Sequence, residues 1–192
     1  MADDLRWKTL GSEYGPDLPL FRVRLDRLQH PGSAETFDRL VLEAPDWVNV
    51  VAVTKDQRFV MVEQFRFGIG DLTTEPVGGL VDEGEKSLAA AQRELLEEAG
   101  FGGGRWRYLG SVQANPAIHN NLCHHWLAED VERIQDPSPD AGEAIRVHLM
   151  TLDEIRQVIA SGRFRHPLGL SAMSRVVPLW EHPYRNEQDH SS

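Results

Sequence analysis

Glu94, Glu97 and Glu98 fall within five residues of one another, in a segment reading Arg93-Glu94-Leu95-Leu96-Glu97-Glu98-Ala99-Gly100-Phe101. Side chains three and four apart share one face of a helix, so these carboxylates point into a single patch. Carboxylates packed this closely repel one another unless cations lie between them. Hard oxygen ligands suit Mg²⁺ or Mn²⁺. The simplest use of such a patch is to hold those ions against a phosphate. A charge run on a helix more often faces solvent, so the patch alone leaves both readings open.

The wider string separates them. Residues 79–101 read GLVDEGEKSLAAAQRELLEEAGF. This resembles the Nudix box, GX5EX7REUXEEXGU, where U is a bulky apolar residue. Every fixed position is filled, with Leu95 and Phe101 in the two U places. The resemblance implies an α+β fold, the Nudix α/β/α sandwich with a mixed sheet. It also implies water-driven cleavage of a phosphoanhydride in an X-linked nucleoside diphosphate, with two or three Mg²⁺ or Mn²⁺ ions. By the same resemblance Glu94 and Glu98 are the primary metal ligands, Glu97 assists, and the Gly78 carbonyl is a further ligand. Arg93 is implied to orient a box carboxylate by ion pairing, and Glu85 to play a structural or outer role.

Composition bounds the rest. A chain of 192 residues can bury a core without disulfides or a structural metal. Cys123 is the lone cysteine, which excludes an intrachain disulfide and fits a reducing cytoplasm. No segment approaches the roughly 18 apolar residues of a membrane span. The formal charge of −10 argues against a duplex nucleic acid partner. It also means that an anionic substrate needs bridging cations.

The elements that must position the box follow from periodicity. Residues 1–18 read as a polar arm. Phe21 to Leu28 alternates apolar and charged, His30 to Ser33 is a turn, and Phe37 to Leu42 returns, predicting an N-terminal hairpin. Val48 to Val53 and Phe59 to Gln64 form a second pair. Val77-Gly78-Gly79 leads into the box loop. The box helix is expected over Lys86 to Ala99, closed by Gly100, with Leu88, Ala91, Leu95 and Ala99 buried and the carboxylates at the edge of the core. Tyr108 to Gln113, Leu122 to Ala128 and Ala144 to Met150 read as strands. Thr151-Leu152-Asp153-Glu154 has the form of a capping box for a helix ending at Gly162. A last helix is expected over Leu168 to Trp180. This gives an arm and hairpin over 1–44, a catalytic domain over 45–183 and a disordered tail over 184–192.

Other motifs carry less. Gly100-Phe101-Gly102-Gly103-Gly104 closes a helix, where a dinucleotide-binding loop opens one. Cys123-His124-His125 lacks a second ligand pair at zinc spacing, and adjacent strand residues face opposite ways. Trp47 and Trp126 read as core residues.

Residues outside the box narrow the resemblance. Val62-Glu63-Gln64-Phe65-Arg66, Glu75-Pro76-Val77-Gly78-Gly79 and Pro116 resemble segments of the ADP-ribose pyrophosphatase subgroup. Asp140 to Val147 resembles the loop and strand that carry the general base there, with Glu143 as the match. Asp140 and a box glutamate remain alternatives. Glu143, Glu97 and Arg93 are therefore the catalytic candidates. Arg66, Gln64 and Glu75 are substrate-binding candidates. The subgroup also implies a homodimer in which the hairpin crosses to the partner and helps shape the nucleoside pocket. One stretch departs from it: Asn115 to Asn121 replaces a small, acidic segment. Asn120 and Asn121 either read sugar hydroxyls or cap a turn.

The expected activity is metal-dependent hydrolysis of nucleoside diphosphate sugars, ADP-ribose-like, to a nucleoside monophosphate and a sugar phosphate. The alternatives are a Nudix hydrolase of nucleoside triphosphates or dinucleoside polyphosphates, and a non-catalytic nucleotide-binding module. The intact glutamates argue against the last. The net charge weakens a role in nucleic-acid processing.

Overall fold

The computed structural model describes residues 4–180. A mixed seven-stranded sheet forms the centre, made of β4 (Trp47–Thr54), β5 (Phe59–Arg66), β6 (Asp71–Leu80), β7 (Phe101–Gly102), β8 (Arg105–Gln113), β9 (Leu122–Arg133) and β10 (Ile145–Met150). The order is β10-β5-β6-β4-β9-β7, with β8 on β9. Only β4 and β9 run parallel; the other pairs are antiparallel. β4 is a continuous Val-rich run, as a strand covered on both faces requires.

Its two faces build two cores. Val48, Val50, Val62 and Val77 meet Ala91, Leu95 and Ala99 of α1 (Ser87–Ala99). Val51, Val53 and Met61 meet Ile155 and Val158 of α2 (Leu152–Ala160), and Ala172 and Met173 of α3 (Pro167–Ser174). The result is the expected α/β/α sandwich. α1 ends where Gly100 turns left-handed at φ 75°. α2 opens on the anticipated capping box between Thr151 and Glu154. Among the described residues, no helix is long and apolar enough to cross a membrane.

Three expectations need correction. Residues 1–18 are not simply an arm, because β1 (Lys8–Asp17) pairs with β2 (Arg22–Gln29). The N-terminal unit is thus a three-stranded sheet, β1-β2-β3, with β3 at Thr36–Glu43. β6 begins at Asp71, well before the Val77 lead-in; its Thr, Glu and Pro content concealed a strand. The last helix stops at Ser174, short of Trp180. The tail expected over 184–192 lies outside the described residues.

The N-terminal sheet has an unusual face. Leu25 and Leu40 are cross-strand partners and both are exposed, whereas Asp26 is buried and accepts from Arg24 and Ser12. The sheet joins the main body through Leu42, whose N–H donates to the Ile118 carbonyl at 2.7 Å.

Candidate active site

β6 passes beneath the acidic end of α1 with no side chains in the way. A Cβ on Gly79 would lie 2.1 Å from Glu94 Oε1. One on Gly78 would lie 2.4 Å from both Val48 O and Asn49 Nδ2. The bare Gly79 leaves room for the Glu94 carboxylate, and the bare Gly78 lets β6 lie close against β4. Glu98 is buried, 2% exposed, where the helical pattern placed it at the edge of the core. The Gly78 N–H donates to Glu98 Oε2 at 3.3 Å.

The burial has an electrostatic cost. Burial first, then Glu94 and Glu143, push the Glu98 carboxyl up to about 8. Glu94 is also raised, mainly by burial. Each carboxyl is held uncomfortably as an anion and favours a cation beside it. The donors are all hard oxygens, so the set fits Mg²⁺ or Mn²⁺. It is not a closed cage: among the described residues, no three His, Cys, Asp or Glu side chains are arranged to hold an ion.

Arg93 occupies part of the cluster. Its guanidinium donates to Glu85 at 3.0 and 3.2 Å, to Glu94 at 2.8 Å, to Glu97 at 3.2 Å and to the Leu80 carbonyl at 2.9 Å. One side chain therefore ties the box loop, β6 and α1 together. Glu85, with the other acceptors, holds Arg93 above its ordinary pKa, so it stays charged.

A cleft of about 600 Å³ opens over these groups, within the usual range for small-molecule sites. Its walls include Gln64, Arg66, Gly78, Arg93, Glu94, Glu97, Glu98, Asp140 and Glu143. Glu143 belongs to a loop that closes on itself: its N–H donates to the Asp140 carbonyl at 2.9 Å, and its Oε2 accepts from the Asp140 N–H at 3.2 Å.

The groups along the cleft follow the register of β6. Leu80 pairs with Trp47, and the ring of Trp47 stands 6.1 Å from His119, which also meets Phe21 at 5.4 Å. Gly78 and Gly79 lie under the carboxylates. Glu75 comes next and receives Arg66 Nε at 2.7 Å. Burial works against the Arg66 charge, but the Glu75 bond outweighs it and holds the guanidinium above its ordinary pKa. At about 3.4 Å per residue, Leu80 and Glu75 are roughly 17 Å apart.

These observations meet the similarity found by comparison. A family model described as NUDIX domain matches residues 45–168. The chain belongs to the Nudix family. It is similar to a methanol dehydrogenase activator of Bacillus methanolicus, 27% identical over 157 residues, covering 81% of this chain and 84% of that protein. It is also similar to a protein of Bacillus subtilis named ADP-ribose pyrophosphatase, 27% identical and covering 64% and 67% of the two chains. A crystal structure titled ADP compounds hydrolase shares the Nudix fold. Its TM-score is 0.79 at 21% identity, over 91% of this chain and 94% of that one.

Not every candidate reaches the Nudix cleft. Asn121 is buried and donates to the Pro45 carbonyl at 2.9 Å, and Asn120 accepts from the Ala44 N–H at 3.3 Å. Both bonds tie their loop to residues 44 and 45, and neither side chain lines the cleft. Glu75 is fully buried behind Arg66 and does not line the cleft. The Cys123-His124-His125 run divides as strand alternation demands. Cys123 donates to Asn49 at 3.3 Å and His125 meets Ser171 at 3.2 Å, while His124 pairs with Asp46 at 3.0 Å. Sequence reasoning missed Asn49 and His166 as cleft residues and read Trp47 as core. The His166-Pro167 pair carried one usable signal, a polar residue before a helix-opening proline.

Proposed function

We propose that this Nudix protein hydrolyses the pyrophosphate bond of nucleoside diphosphate sugars of the ADP-ribose type, releasing a nucleoside monophosphate and a sugar phosphate. The observation that carries this reading is the order along β6. Aromatic side chains stand at one end, carboxylates lie in the middle, and a fixed arginine sits at the other end. A base, a diphosphate and a sugar follow each other in the same order. The name of the Bacillus subtilis relative supports the substrate class.

Glu94, Glu98, Glu97 and the Gly78 carbonyl would hold two or three Mg²⁺ or Mn²⁺ ions, which when bound would supply charge neutralisation and a lowered pKa for water. Phe21 and Trp47 offer ring faces to the base. Arg66 and Gln64 bind oxygens beyond the scissile bond. Arg93 positions Glu94 and Glu97. Glu143 swings out of its local loop and takes the proton from the attacking water, a task suited to a mobile loop on a rigid scaffold. The test is a substrate panel in Mg²⁺ with the products separated. ADP-ribose is expected to give AMP and ribose 5-phosphate, and activity is expected to vanish with a chelator and return with excess Mg²⁺ or Mn²⁺. Turnover of nucleoside triphosphates alone overturns the reading.

The same reading includes a homodimer. Leu25 and Leu40 stand exposed side by side on the N-terminal sheet, and a second copy is the partner that covers them. Light scattering at micromolar concentration is expected to give twice the chain mass. A monomer, or a variant starting near Ala44 with full activity, contradicts this.

A further inference from the structure

Glu75 is fully buried, yet its Oε2 has no hydrogen-bond partner. Oε1 is well served, by Arg66 Nε and by Thr73 Oγ1, each at 2.7 Å. Oε2 faces His166 Nδ1 at 3.3 Å. That nitrogen already accepts from the Gly169 N–H at 3.3 Å, capping α3. A ring nitrogen that accepts presents its lone pair and cannot also donate to a carboxylate. In the tautomer that caps α3 through Nδ1, the proton of the neutral imidazole sits on Nε2. Burial, with Arg66 adding to it and Glu75 opposing, holds His166 below its usual pKa and favours that neutral ring.

Among the described residues Nε2 has no partner, and the ring lines the cleft beside Arg66. Its position is fixed. A Cβ on Gly169 would lie 2.8 Å from Pro76 Cδ, so the first turn of α3 is seated directly on β6 next to Glu75. Cation and neutral donor thus stand side by side, both set against one buried carboxylate, at the end of the cleft away from Trp47.

We propose that His166 is a specificity residue for the sugar end, where its Nε2–H donates to an oxygen of the sugar-phosphate half of the substrate. This rests on the nucleoside diphosphate sugar reading. A side chain held by a cap and by packing can discriminate between oxygens that a flexible one cannot.

His166→Asn separates this role from a structural one. Asparagine is a good N-cap and can still accept from Gly169, but it stops short of the Nε2 position. The melting temperature is expected to hold and kcat to change little. KM for ADP-ribose should rise about tenfold, the scale of one lost hydrogen bond to an anionic ligand. Product inhibition by ribose 5-phosphate should weaken by a similar factor while inhibition by AMP stays unchanged. His166→Ala should show the same KM rise together with a lower melting temperature. An unchanged KM in His166→Asn overturns the proposal, and so does equal weakening of both products. Failure of the wild-type protein to cleave any nucleoside diphosphate sugar sinks the substrate reading itself. Calorimetry with ribose 5-phosphate then decides His166 separately, since equal affinities for wild type and His166→Asn overturn its role.

Discussion

Glu98→Gln is expected to lower kcat by about three orders of magnitude, the scale of losing several kcal/mol of charge stabilisation, while the fold remains intact. Glutamine has the shape of glutamate, and its carbonyl oxygen can keep the bond from the Gly78 N–H. It lacks the negative charge that a cation requires. The side chain is nearly closed off from solvent, and burial and the neighbouring Glu94 disfavour its anion. Removing that charge therefore costs the cation-free protein no stability. Melting in chelator should place Glu98→Gln at or above wild type. Wild-type turnover by Glu98→Gln at saturating Mg²⁺ means the carboxylate is not a ligand, whatever its position.

Glu143→Gln should reduce kcat by about 10²–10⁴, the range for removing a general base, with KM and cation affinity largely kept. The glutamine can accept from the Asp140 N–H just as Glu143 does, so the loop geometry is preserved. Glu143 is close enough to raise the pKa of both Glu94 and Glu98, which puts it within electrostatic reach of the reacting centre. Asp140→Asn and Glu97→Gln are the controls. Asp140 also lines the cleft, and Glu97 is ion-paired to Arg93 at 3.2 Å. If one of these collapses while Glu143→Gln stays within a few-fold of wild type, the base lies there.

The box was legible in the sequence because its chemistry is local. Arg93, Glu94, Glu97 and Glu98 meet through the period of one helix, and Gly100 marks its end. Ala91, Leu95 and Ala99 also follow that period, whereas Leu88 is only half-buried; the depth of Glu98 is set by the packing of α1 on β6, where the Gly78 N–H donates to it, and that is not written in the helical period. β4 was legible as an apolar run; β6 was not, because it buries Thr73, Thr74 and Glu75 in place of apolar residues and its proline mimics a break. β1 is exposed along its whole length and owes its conformation to pairing with β2, so no burial pattern announces it. His166 and Glu75 meet only through the seating of α3 on Pro76, a tertiary contact that sequence spacing does not encode. Asn120 and Asn121 show the same limit, since their bonds to the backbone of residues 44 and 45 are contacts that spacing does not encode.

The pairing of β6 on both edges makes it a ruler. It is held by β5 over Asp71–Pro76 and by β4 over Val77–Leu80, so its residues cannot slide against the sheet. Point substitutions at Phe21, Trp47, Arg66 or His166 can change what the cleft grips at either end. Shifting β6 against its neighbours takes an inserted or deleted residue, and a one-residue slip turns every following side chain to the wrong face. The separation between the two ends of the cleft is therefore a property of the sheet, which side-chain changes at either end leave untouched.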